Sequence, residues 1–242
     1  MTSAPATGDL GAAREESGKV VAVEHLEGGL IELTARLVHL AATARPGQFA
    51  QLRCGPWGQP LLRRPFSVAW TSAECCSFVF AAGGEGTRRL AALRPGDELD
   101  ALGPLGHGFT VDGSVRRAVC VAGGLGCAPF PLLVRELRRA GVAEVVVLSG
   151  ASCGDRLYPA ERFRRGDTEV EVREVTVDGS RGAAGLVTEL VPAASRAPGT
   201  AAIYGCGPNP MLGALHGVLA DEPASAVREV SLEAPMGCGF GT

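Results

Sequence analysis

The chain has 242 residues, 46% of them hydrophobic, and a formal net charge of -3. That length suits one large domain or two small ones, with enough apolar material for buried cores. No basic patch points to nucleic acid, and no run of about 18 apolar residues points to a membrane span.

Residues 1–18 are rich in Ala, Gly, Ser and Thr and lack the basic start and apolar stretch of a secretion signal. They read as the disordered tail of a cytoplasmic protein. Short β-like runs follow at Val20–Val23, Leu30–Leu33, Gln48–Leu52, Phe66–Trp70 and Ser77–Ala81. Turn pairs punctuate this stretch at Pro46-Gly47, Gly55-Pro56, Pro95-Gly96 and Gly103-Pro104, and one helical piece is expected over 87–93. Closely spaced strands with such turns predict a small antiparallel barrel over 19–114.

The rhythm then changes. Strands are expected at Ala118–Ala122, Glu144–Leu148, Val170–Val175 and Ala201–Tyr204, with helices over 128–140, 185–191 and 210–219. Alternating strands and helices predict a parallel-sheet α/β domain over 115–229. Residues 230–242 form a Gly-rich end containing Cys238. The eight cysteines include no C-x-x-C pair, so they read as buried thiols.

Four strings carry chemistry. In Arg64-Pro65-Phe66-Ser67, an extended strand presents an arginine suited to a pyrophosphate, an aromatic ring and a hydroxyl. The same string suits a solvated barrel edge. Gly83-Gly84-Glu85-Gly86-Thr87 puts glycines and a threonine at a helix start, a place for phosphate or for an ordinary cap. Gly123-Gly124-Leu125-Gly126 lies between a strand and a helix, the context of a dinucleotide turn, although its spacing is not G-x-G-x-x-G. Cys206-Gly207-Pro208 ends a strand where open α/β sheets bind ligands. A buried, inert cysteine is the plainer reading of Cys206.

Taken in this order, the four strings resemble the ferredoxin–NAD(P) reductase superfamily over residues 19–242. The resemblance implies that Arg64 and the Gly86-Thr87 turn hold the FAD phosphates, with Pro65, Phe66 and Ser67 on the flavin strand. It implies NAD(H) at Gly123, Gly124, Gly126, Cys206, Gly207 and Pro208. Asp178, beyond the strand at 170–175, is expected to favour NAD(H) over NADP(H) by repelling a 2′-phosphate.

A narrower resemblance rests on Leu62–Ser67, Gly103-Pro104-Leu105-Gly106-His107-Gly108-Phe109, Asp178-Gly179-Ser180 and Ser231-Leu232-Glu233 through Gly241. These strings look like the electron-transfer subunit of class 1B dihydroorotate dehydrogenase, which usually has Asn at the place of His107. The resemblance implies a hetero-oligomer with an FMN-containing dihydroorotate dehydrogenase subunit. In that family the segment around Cys238 opens a plant-type [2Fe-2S] motif, C-x₄-C-x₂-C…C. The 242 residues end before its second cysteine. A cluster is therefore expected only in a chain continuing past Thr242, with cysteine next. No side-chain acid or base is expected to take part. A reductase of the same fold serving a hydrogenase, glutamate synthase-like enzyme or oxygenase, and a non-enzymatic FAD module, remain open alternatives.

Overall fold

The computed structural model describes residues 13–55, 62–196, 201–220 and 227–232. β1 (Arg14–His25), β2 (Leu30–Arg36), β3 (Phe49–Leu52), β4 (Arg64–Thr71), β5 (Cys75–Ala81) and β6 (Glu98–Leu105) close into an antiparallel barrel. Its order is β1-β2-β5-β4-β3-β6, with α1 (Val38–Thr43) and α2 (Glu85–Ala91) in the connections. Inward-facing Leu33, Ala35, Leu52, Val68, Phe78 and Leu99 fill it.

Closure corrects one expectation. Residues 14–18 are not tail but strand: Arg14 pairs with Gly103 and Gly18 with Leu99. β6 would otherwise present an open edge. Gly18 suits the spot because a Cβ there would lie 1.9 Å from Arg36 O. Residues 1–12 lie outside the described residues.

The second unit is a six-stranded parallel sheet. β7 (Arg117–Gly123), β8 (Glu144–Ala151), β9 (Glu171–Thr176), β10 (Ala183–Ala184), β11 (Ala201–Cys206) and β12 (Val227–Ser231) take the order β10-β9-β8-β7-β11-β12. α3 (Phe130–Arg139), α4 (Ala160–Arg164), α5 (Val191–Ser195) and α6 (Asn209–Ala220) accompany them. The helix expected over 185–191 is a 3-10 turn at Val187–Leu190 leading into α5. The chain winds outward from β7 through β8 and β9, then returns to the other side of β7 at β11. The reversal lies between β7 and β11, the place where such sheets bind ligands.

The linker between β6 and β7 is pinned to the sheet. Phe109 stacks on Phe130 and meets Tyr204 edge-on, with centroids 6.2 and 5.4 Å apart. The Thr110 N–H and hydroxyl donate to Glu229 at 2.8 and 2.5 Å, and Tyr204 OH donates to Thr110 O at 2.6 Å. Barrel residues Leu30, Ala69 and Val79 join Ala128, Phe130, Tyr158 and Phe163 in one apolar core across the boundary. No described helix is long and apolar enough to cross a membrane.

Candidate functional site

A cleft of about 490 Å³ runs between the barrel and the sheet. Its barrel wall comes from Phe49, Pro65, Phe66, Ser67, Val79 and Thr87; its opposite wall from Leu125, Ala128, Ser231 and Leu232. That size is within the usual range for cofactor sites. Strand alternation sorts the expected residues. Pro65 and Ser67 lie on the outer face of β4, whereas Phe66 turns into the barrel core, 5.2 Å from Phe80, and only edges the cleft.

Arg64 and the Gly86 turn come together. A Cβ on Gly86 would lie 3.1 Å from Cys54 Cβ and 3.7 Å from Arg64 Cγ. Arg64 is exposed and curls back to donate to Leu62 O at 3.0 Å. It forms no ion pair with a carboxylate among the described residues, so its charge stands available. Thr87 Oγ1 accepts from Gly84 N at 3.0 Å and can return the bond to Gly84 O at 3.1 Å. That reciprocal cap fixes the start of α2. Burial pushes the Cys54 thiol up, against the pull of Arg64.

At the sheet the two Gly-rich turns abut. A Cβ on Gly126 would lie 2.1 Å from Cys206 O, and one on Gly123 would lie 2.4 Å from Met211 Sδ and 3.2 Å from Pro208 Cδ. Glycine at these positions is what lets the turns touch. Gly124 instead adopts φ +54° and opens onto free space. Cys206 is buried at the carboxyl end of β11, flanked on the ladders by Ala122 and Ser231. The neighbouring Cys127 thiol is pushed far up by burial.

Asp178 sits apart from the cleft residues, in the turn after β9. Its carboxylate accepts from Ser180 N at 3.0 Å and Ser180 Oγ at 2.6 Å, which hold its pKa below the usual aspartate value. Arg181 reaches to Glu27 on the barrel, 3.4 Å away. Cys238 lies outside the described residues, and no group of three or more metal-ligating side chains occurs among the described residues.

Several residues fit a flavin and its phosphates. Arg64 has no acidic partner among the described residues, and Gly83 and Gly84 open onto space where a ligand can approach the backbone. Gln51 stands opposite Pro65 on the ladder, hence on the same face. It is 3% exposed, and among the described residues neither its Oε1 nor its Nε2 has a partner. Buried amides are normally satisfied, so a polar ligand group beside it fits. Phe49, Val79, Leu125, Ala128 and Leu232 were not anticipated as site residues. Gly106, at positive φ, lets the linker close on Phe49, since a Cβ there would lie 2.9 Å from its Cε1.

A closed six-stranded barrel followed by a parallel α/β sheet, with a cleft between them at the sheet's carboxyl edge, defines the ferredoxin reductase-like fold class. A solved structure described as an NADH-dependent reduced ferredoxin-NADP oxidoreductase superposes with a TM-score of 0.79 at 24% identity, covering 93% of this chain and 79% of that one. No protein-family model matches the chain. The dihydroorotate dehydrogenase B (NAD(+)) electron transfer subunit of Lysinibacillus sphaericus (strain C3-41) is 36% identical over 233 residues, 94% of this chain and 86% of that protein. The corresponding subunit of Geobacillus sp. (strain WCH70) is 38% identical over 200 residues, 81% of this chain and 74% of that protein. The chain belongs to the family of dihydroorotate dehydrogenase B electron transfer subunits.

Proposed function

We propose that this chain binds FAD in the interdomain cleft and NAD(H) at the carboxyl edge of the sheet, and links NAD(H) to an FMN-containing dihydroorotate dehydrogenase subunit in a hetero-oligomer. The observation that carries this reading is the cleft itself. It sets the outer face of β4 against the turn at Gly124–Cys127 and the end of β12. When bound, FAD would supply the redox chemistry, exchanging an electron pair with the nicotinamide and electrons with the partner subunit.

The chain's own residues bind and orient. Arg64, with Gly86 and Thr87 at the start of α2, holds phosphate through charge-assisted bonds. Pro65, Ser67 and an edge of Phe66 form the wall on which the flavin ring rests. Gly123, Gly124 and Gly126 clear the floor for the dinucleotide, while Cys206, Gly207 and Pro208 border the nicotinamide end. Asp178 keeps lone pairs free beyond its bonds to Ser180 and can accept from ribose hydroxyls while repelling a 2′-phosphate. Arg181, the nearby cation that would favour a phosphate, is engaged by Glu27.

A [2Fe-2S] cluster takes four thiolates, and no group of three or more metal-ligating side chains occurs among the described residues. No disulfide joins the described cysteines.

The test is co-expression with a candidate dihydroorotate dehydrogenase subunit, followed by identification of the released flavins. A stable complex releasing both FAD and FMN, and reducing NAD with dihydroorotate, is expected. A chain that purifies without flavin, or that passes no electrons from the partner, contradicts the proposal.

A further inference from the structure

Glu32 is a carboxylate in the middle of β2 that is only 1% exposed. Its neighbours Ile31 and Leu33 point into the barrel, so Glu32 points outward, under the sheet domain. Three groups from that domain converge on it. Tyr158 OH donates at 3.2 Å, Arg162 Nη1 donates at 3.2 Å, and Arg165 Nη2 makes an ion pair. Arg162 also bonds Glu24 on β1 at 2.6 Å.

The clamp extends on both sides. Arg165 lies over the Trp70 ring at 5.1 Å, and Arg135 from α3 lies over the same ring at 4.6 Å while bonding Thr71. Arg165 has φ 47°, a left-handed conformation for a non-glycine residue. Such a conformation persists only where the surroundings hold it. At Gly28, φ +66°, the barrel backbone comes so close to the sheet domain that a Cβ would lie 1.8 Å from Asp155 O. In each of these ion pairs across the boundary the sheet domain supplies the cation and the barrel the anion.

The clamp borders the cleft. Glu32 pairs on the ladder with Val79, which lines it, and Leu30 and Val79 share one core with Ala128 of the opposite wall. We infer that Glu32 is a positioning residue: by fixing the sheet domain against the barrel, it sets the separation of the nicotinamide and flavin sites. This inference rests on the function proposed above.

The experiment uses the flavin-loaded chain carrying Glu32→Gln, with Arg162→Gln on the more exposed arm as a second variant should the first fail to fold. Each is measured for flavin content, for anaerobic bleaching by NADH, and for amide hydrogen exchange in residues 30–36 and 158–165. Flavin content is expected to stay at the wild-type level. Bleaching at saturating NADH is expected to fall about ten- to a hundred-fold, because an ångström of misplacement suffices for that. The half-saturating NADH concentration is expected to move by less than about three-fold, which separates positioning from nucleotide binding. Exchange in both segments is expected to quicken. Wild-type bleaching in a folded variant, or slower bleaching with unchanged exchange, overturns the inference. If the wild-type flavin is not bleached by NADH at all, the proposed function fails; exchange then still decides the clamp on its own, and unchanged exchange rejects it.

Discussion

Gly126→Ala should separate nucleotide use from flavin retention. The added Cβ would lie 2.1 Å from Cys206 O, 2.4 Å from Cys206 C and 2.6 Å from Gly207 N, all backbone atoms that no rotamer change can move aside. The two turns must part by about 1 Å, and overpacking of that kind costs about 1–3 kcal/mol. For a chain of this size each kcal/mol lowers Tm by about 2–4 °C, so a fall of about 2–12 °C is expected. Bleaching of the bound flavin by NADH should slow about a hundred-fold, since the displaced turn borders the proposed nicotinamide end of the site. Flavin content should hold, because Arg64 and Gly86 belong to the barrel. Gly217→Ala on α6 is the control: nothing lies within 4 Å of the added Cβ, so it displaces nothing and should leave bleaching unchanged. Stopped-flow absorbance and thermal unfolding read both variants. A Gly126→Ala protein with wild-type bleaching and unchanged Tm would refute the packing argument.

Other outcomes follow from the same structure. Arg64→Ala should weaken flavin retention by about 1.5–3 kcal/mol, the worth of a charge-assisted bond, as measured by flavin content after gel filtration; unchanged retention counts against the cradle. Steady-state kinetics should favour NADH over NADPH, and Asp178→Ser should narrow that preference; a preference for NADPH in the parent protein sinks the assignment of Asp178. The carboxyls of Glu24 and Asp167 are held below their ordinary values by Arg162 and Arg138 respectively. Their folded pKa values are depressed, so their stabilisation is present above about pH 4.5 and is lost as pH falls through the folded values. Glu24→Gln should accordingly lower Tm slightly at pH 7, by the equivalent of about 0.2–1 kcal/mol for so exposed a pair, with the difference shrinking as the pH falls through the folded value. Burial pushes the Cys76 thiol up to about 12. Alkylation of the folded protein at pH 8 should therefore spare Cys76, with mass spectrometry as the readout; rapid modification there would mean that the barrel opens.

Much of the architecture was legible because its signals are local. Strand, Gly-rich turn and helix follow in order from β7 to α3, and the β runs at Leu30–Leu33 and Ser77–Ala81 are apolar enough to stand alone. β6 escaped because Gly103-Pro104, read as a turn, lies inside the strand. The start of β1 escaped because its strand character comes from β6, nearly ninety residues away along the chain. β12 carries Arg228 and Glu229 in five residues at a sheet edge, and no apolar run marks it. In the site, the turns at 83–87 and 123–127 were readable as turns from glycine spacing, whereas the opposite wall of the cleft was not. Leu125 and Leu232 look like any exposed leucines until the two domains are brought together. Glu32 was invisible for the same reason. A single acid in a strand suggests a solvated face, and only the second domain buries it.

The most direct test of the central claim is an anaerobic NADH titration of the purified chain, with its flavin released and identified afterwards. The account predicts a yellow protein whose FAD bleaches with one equivalent of NADH and does so far less readily with NADPH. A colourless protein, a protein releasing FMN in place of FAD, or FAD that NADH leaves oxidised would contradict it.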